Sequence, residues 1–114
     1  ALFRDAGLDD RLRLPPALPQ RRHVYNQFCL RSPRRDQIVE HLKANGIGTA
    51  IYYPLPLHLQ ECFRSLGYGE GDFPVSEQAA GEIFAIPMSP TLTAEQQERV
   101  VQVVGECQSV FLTG

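Results

Sequence analysis

The sequence predicts a small α/β sandwich, about three β-strands covered by about four helices. Two observations predict it. Short runs of β-branched and aromatic residues alternate with longer segments of helical apolar spacing, in the order strand, helix, strand, two helices, strand, helix. Glycine or proline marks most changes of period, at Gly7, Pro33, Gly46, Pro54, Gly67, Pro74 and Pro90.

Residues 1–6 read as the tail of a helix, with Gly7 as its stop. A helix that begins at the first residue is expected to have lost its start. Residues 8–22 are polar and proline-rich and read as an extended connector, with Leu12 to Leu14 a possible short edge strand. Residues 1–22 are thus assigned to a helix end and connector, and 23–114 to a small α/β domain. Residues 23–31 predict a central strand from His23 to Arg31, with Val24, Asn26, Phe28 and Leu30 on one face. Ser32 suits an N-cap and Pro33 the first helical position, so a helix runs to about Asn45 and ends at Gly46. Its apolar stripe is Ile38, Val39 and Leu42.

Ile47 to Tyr53 predict a second strand, and residues 58–66 a short helix ended by Gly67. Tyr68 to Phe73 form a glycine-rich loop. Pro74 starts a helix through about Phe84, and Ala85 to Met88 form a short strand. Thr93 and Gln96 stand at capping-box spacing before a last helix, whose stripe is Val100, Val104, Cys107 and Phe111.

At 114 residues the chain is long enough for one core. Its 43% hydrophobic and 21% charged residues are ordinary globular usage. A net charge of −2 argues against a general nucleic-acid binder. No apolar run approaches the ~20 residues that a membrane helix needs. The first residues, Ala1 to Gly7, do not make a signal peptide, and the missing initiator Met points to a processed product or fragment. Three widely spaced cysteines, Cys29, Cys62 and Cys107, fit a reducing compartment and read as small core residues.

Lys43 is the only lysine, so any Schiff base on this chain would have to use it. It falls beside the apolar stripe, next to polar neighbours, where a Schiff-base lysine is not expected. Arg21, Arg22, Arg31, Arg34 and Arg35 form a basic cluster that reads either as a solvated, acid-paired patch or as a phosphate site. Gly67 to Gly71 lack the lysine of a phosphate loop and read as a flexible turn. His23, His41 and His58 have no metal-ligand pairing. His58 and Cys62 could share a helical face, but two ligands do not make a site. Tyr52-Tyr53-Pro54-Leu55-Pro56-Leu57-His58 is the most distinctive stretch. A strand end presenting two phenols on proline-fixed backbone suits ligand recognition, and aromatic packing is the plainer alternative.

Four blocks carry a family resemblance: residues 23–28 (HVYNQF), 46–60 (GIGTAIYYPLPLHLQ), 66–74 (LGYGEGDFP) and 86–93 (IPMSPTLT). In this order and spacing, over roughly residues 1–111, they resemble the C-terminal domain of DegT/DnrJ/StrS-type sugar aminotransferases. The resemblance implies the small domain of a fold type I (aspartate-aminotransferase) enzyme that uses pyridoxal phosphate. Such enzymes transfer an amino group, commonly from glutamate, to a nucleotide-linked keto-sugar. They act in the cytoplasm in polysaccharide or antibiotic-sugar synthesis, typically as dimers with active sites between subunits.

The family's large domain, with its cofactor lysine and most of its phosphate cradle, has no counterpart here. The lysine count points the same way, so the chain alone is expected to bind no cofactor and to have no transaminase activity. Where the family often has His-Tyr-Pro, this sequence has Tyr52-Tyr53-Pro54. The resemblance therefore implies Tyr53, Tyr52, His58 and Asn26 as substrate-binding residues. The tyrosines would hydrogen-bond the diphosphate or sugar in a positioning role. Self-association is expected from apolar surface left uncovered, with no nucleic-acid or membrane partner. The rival expectation is a standalone α/β ligand-binding or regulatory module without catalysis. A third is an anion or RNA binder that uses the arginines.

Overall fold

Two four-residue strands, β1 (Phe28–Arg31) and β2 (Ile83–Ile86), pair antiparallel and carry the rest of the chain. In the computed structural model, residues 2–8, 11–22 and 24–113 are described, with side chains as far as Cys107 in the last helix. The register sets Leu30 opposite Phe84 and Phe28 opposite Ile86. Leu30 and Phe84 are both fully buried, and Phe28 and Ile86 pack against the same core. Cross-strand apolar pairs of this kind are the unit of sheet stabilisation.

Each strand has a further neighbour, reduced to one residue. Arg13 exchanges both backbone hydrogen bonds with Arg31, at 2.9 and 3.1 Å, on the outer edge of β1. Ala50 bridges Ala85 on the outer edge of β2. The spatial order is therefore residue 13, β1, β2, residue 50. Among the described residues the expected three strands become a two-stranded sheet with two flanking bridges.

The helices are α1 (Leu2–Asp5), α2 (Arg35–Ala44), α3 (Pro74–Glu82) and α4 (Ala94–Thr113), with 3₁₀ turns at Leu57–Leu59 and Glu61–Leu66. Helix α2 places Ile38 and Leu42 in the core, both fully buried, and Val39 at its margin, as the spacing predicts. Helix α2 starts at Arg35 with Arg34 as its N-cap and no side-chain cap, later than the expected start at Ser32 and Pro33. Buried Ser32 instead accepts the Arg34 amide on Oγ at 3.1 Å, within the turn that precedes the helix. Helix α4 packs against α2 and α1 and brings Val100, Val103, Val104 and Cys107 into the core. Both halves of its capping box form: the Thr93 amide donates to Gln96 Oε1 at 2.9 Å, and the Gln96 amide donates to Thr93 Oγ1 at 3.2 Å. The Phe111 side chain and the whole of His23 lie outside the described residues.

Gly7 ends α1 with φ +70°, as expected. Leu8 and Leu12 are buried with Phe3, so these two residues of the expected connector belong to the core. Residues 14–18 have no regular structure, and a turn follows at 19–20, where Gln20 takes φ +63°. No helix among the described residues is long and apolar enough to cross a membrane.

Three further boundaries differ from the sequence expectation, each for a local reason. The first strand begins at Phe28, because Tyr25 takes a left-handed φ of +49° and Val24 is exposed. That turn stacks the Tyr25 ring on Phe28 at 5.3 Å. Residues 47–53 keep only the Ala50 bridge, since the glycines at 46 and 48 weaken a strand. Helix α3 stops at Glu82 rather than Phe84. Ile83 to Ile86 are β-branched, aromatic or small and go to the sheet instead. The Glu82 carbonyl accepts the Ser32 amide at 3.0 Å, and Arg35 Nη1 donates to the carbonyls of Ala80 and Ile83, each at 3.0 Å.

Two substitutions test this packing. Phe84→Ala opens a cavity at the centre and is expected to cost about 3–5 kcal/mol. Thr93→Ala removes one half of the capping box and is expected to cost about 1 kcal/mol. Urea denaturation midpoints measure both, with Phe84→Ala the larger loss.

Candidate substrate-facing cleft

Between Ala50 and Ile83 the chain leaves the sheet and returns to it. The excursion starts with Tyr52 and Tyr53, runs through Pro54 and Pro56, and enters the two 3₁₀ turns. Proline fixes φ and removes a backbone donor, which holds this stretch off any sheet. Gly67 then closes the second turn with φ +83°, where a side chain would be strained. Residues 68–73 lead into α3.

This excursion folds around an open cleft of about 500 Å³. Tyr52, Tyr53, Leu55 and Leu57 line it, with His58, Phe63, Leu66, Tyr68 and Phe73. Helix α3 contributes the small residues Ser76, Ala79 and Ala80. The rings contact one another edge to face, His58 with Phe73 at 4.8 Å, Tyr68 with Phe73 at 4.9 Å and Tyr52 with Tyr53 at 6.1 Å. Tyr53 is 69% exposed and Tyr52 39%, so both phenols are reachable.

The structure thus brings Tyr52, Tyr53 and His58 to one cleft. Asn26 lies in a smaller neighbouring cleft of about 270 Å³, with Gln27, Thr49 and Met88. Tyr52 lines both clefts and joins the two sets. His58 faces the main cleft with its ring, but its Nε2 is buried with no hydrogen bond, 3.5 Å from Glu77 Oε2. The expected single helix is two separate 3₁₀ turns, with buried His58 on Leu57–Leu59 and exposed Cys62 on Glu61–Leu66, so the two are not on one helical face. Among the described residues no group of three His, Cys, Asp or Glu could hold a metal ion.

The glycine-rich loop is held by carboxylates of its own chain. The Gly69 amide donates to Asp72 Oδ2 at 2.7 Å. The Gly71 amide donates to both oxygens of Glu77, at 2.9 and 3.0 Å, and the Phe73 amide to Oε2 at 3.3 Å. These amides are taken, so the loop has no open phosphate cradle. Sequence reading missed Glu77, Phe73, Tyr68 and Phe63 as parts of the site. The signal that could have found Glu77 is the run of loop amides, which need acceptors.

The arginine cluster disperses. Arg31 pairs with Glu82 at 3.1 Å, and Arg35 pairs with Asp36 and caps the end of α3. Arg21 and Arg22 line a separate surface cleft beside Leu18 and Val24. The acid-paired alternative therefore describes Arg31 and Arg35.

An aromatic cleft edged with hydroxyls can hold and orient a ligand with a flat or sugar-like body. The chain belongs to the DegT/DnrJ/EryC1/StrS aminotransferase family, whose model matches residues 2–105. It is 45% identical over 102 residues to a pleiotropic regulatory protein of Geobacillus stearothermophilus, covering 90% of this chain and 27% of that protein. It is 41% identical over 96 residues to a dTDP-3-amino-3,4,6-trideoxy-alpha-D-glucose transaminase of Micromonospora megalomicea subsp. nigra, covering 83% of this chain and 26% of that enzyme. Among solved structures, the S. venezuelae DesV complex with a ketimine intermediate superposes with a TM-score of 0.83 at 33% identity, covering 92% of this chain and 29% of that one. The chain spans about a quarter of the length of the curated relatives it matches.

The family implies pyridoxal phosphate, and the residues present do not fit it. A Schiff-base lysine is buried or set beside another cation. Lys43, the only lysine, is exposed on α2 and lines neither cleft around the tyrosines. No chemical step is therefore derived through the cofactor on this chain.

Thiol chemistry offers a check on the burial described. Burial pushes the Cys29 thiol above its ordinary value of 9.0. Burial does the same at Cys107, partly offset by the Arg34 charge. A thiol whose folded value is raised adds stability below its unfolded value and loses it as pH rises through the folded value. Stability from these two residues should therefore decline above about pH 9. In native labelling at pH 8, the exposed Cys62 is expected to react first, the half-buried Cys29 more slowly, and the buried Cys107 only on unfolding. Mass spectrometry of the labelled peptides reads the order.

Proposed function

We propose that this chain is the small C-terminal domain of a pyridoxal-phosphate-dependent aminotransferase that acts on a nucleotide-linked keto-sugar, with glutamate as the amino donor. Residues 1–22 are then the end of an inter-domain helix and its connector, and residues 23–114 the domain itself. The observation that carries this reading is the aromatic cleft, found within a stretch that matches the family over residues 2–105. The relative from Micromonospora megalomicea is named for transamination of a dTDP-linked sugar, which supports the substrate class.

In this reading the chain supplies substrate positioning and the missing large domain supplies the cofactor and its lysine. Tyr53 and Tyr52 donate hydrogen bonds to the diphosphate or sugar. Asn26 adds a contact from the neighbouring cleft, and the His58 ring forms part of the wall. The reaction belongs to cytoplasmic synthesis of polysaccharide or antibiotic sugars. Tyr53, Leu55, Leu57, Phe63 and Leu66 are exposed apolar residues around one cleft that a partner surface would cover, so in this reading the chain alone self-associates and the full enzyme is a dimer.

The assay that tests this compares the 114-residue chain with the full coding frame, using glutamate and a nucleotide-linked 3-keto-sugar. Transamination is expected from the full protein and none from the chain. Turnover by the chain alone would overturn the reading. In the full protein, Tyr53→Phe is expected to raise KM about tenfold, the loss of one hydrogen bond to a charged group, with little change in kcat.

A second reading is favoured by the name of the Geobacillus stearothermophilus relative, a pleiotropic regulatory protein. A standalone regulatory module predicts that the chain itself binds a nucleotide sugar tightly and without turnover. Isothermal titration of the chain with dTDP-glucose separates the two, since the domain reading expects no tight binding.

A further inference from the structure

The geometry points to Glu77 as the positioning residue that fixes the ligand-facing aromatic wall of the cleft. This rests on the functional reading above for what the cleft holds, and on the hydrogen bonds alone for what Glu77 does.

Glu77 lies in the first turn of α3, and its side chain is only 22% exposed. Its carboxylate takes the Gly71 amide with both oxygens and the Phe73 amide with one. Oε2 also approaches the buried Nε2 of His58 at 3.5 Å. One carboxylate on α3 therefore gathers the glycine loop just before the helix and the more distant 3₁₀ turn carrying His58. Phe73 is the link to the ligand side. Its backbone is held by Glu77, and its ring contacts both His58 and Tyr68 edge to face.

Among the described residues, the only other hydrogen bond between residues 70–73 and α3 is the helical one from the Glu77 amide to the Phe73 carbonyl at 3.1 Å. Gly71 has φ +88° and its amide has no other acceptor there. Bonds from amides to a carboxylate are stronger than those to a neutral acceptor, and a partly buried site screens them less. Without the carboxylate, the loop would lose its anchor, and Phe73, Tyr68 and His58 would lose their shared geometry. Glu77 itself lines no part of the cleft surface, so it acts through these neighbours and not by touching ligand.

Amide exchange and kinetics test this in wild type, Glu77→Ala and Glu77→Gln. The glutamine variant keeps one acceptor oxygen and serves if the alanine variant does not fold. The 114-residue chain should show Gly71 and Phe73 amides exchanging about tenfold faster or more in Glu77→Ala, with a smaller effect in Glu77→Gln. The amides of Leu30 and Phe84 should keep their rates, which a general loss of stability would not allow. In the full enzyme, KM for the nucleotide sugar should rise about tenfold with kcat within about twofold. Unchanged exchange at Gly71 and Phe73 would overturn the proposal, and so would faster exchange with an unchanged KM. The exchange arm needs no substrate, so its outcome is independent of whether the functional reading holds.

Discussion

The pairing of β2 on both its edges is the constraint on which the rest depends. On one side it takes β1, with Leu30 against Phe84 in the buried centre. On the other it takes Ala50 through its bridge to Ala85. The chain that makes the cleft leaves the sheet at one of these contacts and comes back into β2 itself. Both ends of that long excursion are therefore pinned to one short strand. The irregular backbone between them needs little regular structure of its own, because its ends do not wander. The same strand contacts α2, whose Ile38 and Leu42 share its core with Val103 and Val104 of α4. A core mutation at Phe84 would reach the cleft by loosening this base, not by touching any residue that lines it.

Much of this was legible in the residues. Helices α2 and α4 were marked by their apolar spacing, and α4 also by its cap at Thr93, which are local signals that need no tertiary context. The stops at Gly7, Gly46 and Gly67 were legible because each needs a left-handed φ, which glycine adopts freely. The strands were less legible. A short apolar run at Ile83 to Ile86 follows a helix without a break, and only its partner in β1 decides where the helix ends. The arginine cluster looked like one feature in sequence. In space, Arg31 and Arg35 are drawn to Glu82 and to the carbonyls at the end of α3.

For the cleft, sequence gave the phenols and the imidazole but not their frame. Tyr52, Tyr53 and His58 stand out because prolines flank them. Phe63, Tyr68 and Phe73 look like ordinary loop aromatics until the fold sets them around the same space. Glu77 looks like a surface acid at the start of a helix. Its partners are loop amides, which have no sequence signature beyond the glycines that expose them. The division of labour follows from the same facts. A positioning surface can be built from exposed aromatics on fixed backbone. Anchoring a coenzyme needs a sequestered amine, and the single lysine here sits on the wet side of α2.

In the proposed reading this chain orients substrate and does not itself hold the coenzyme. Borohydride reduction of the chain after incubation with pyridoxal phosphate, followed by intact mass and peptide mapping, tests it most directly. The account predicts no stoichiometric adduct, and labelling of Lys43 no greater in the folded chain than in the denatured one. One pyridoxyl group per chain on Lys43, formed only in the folded state, would contradict it.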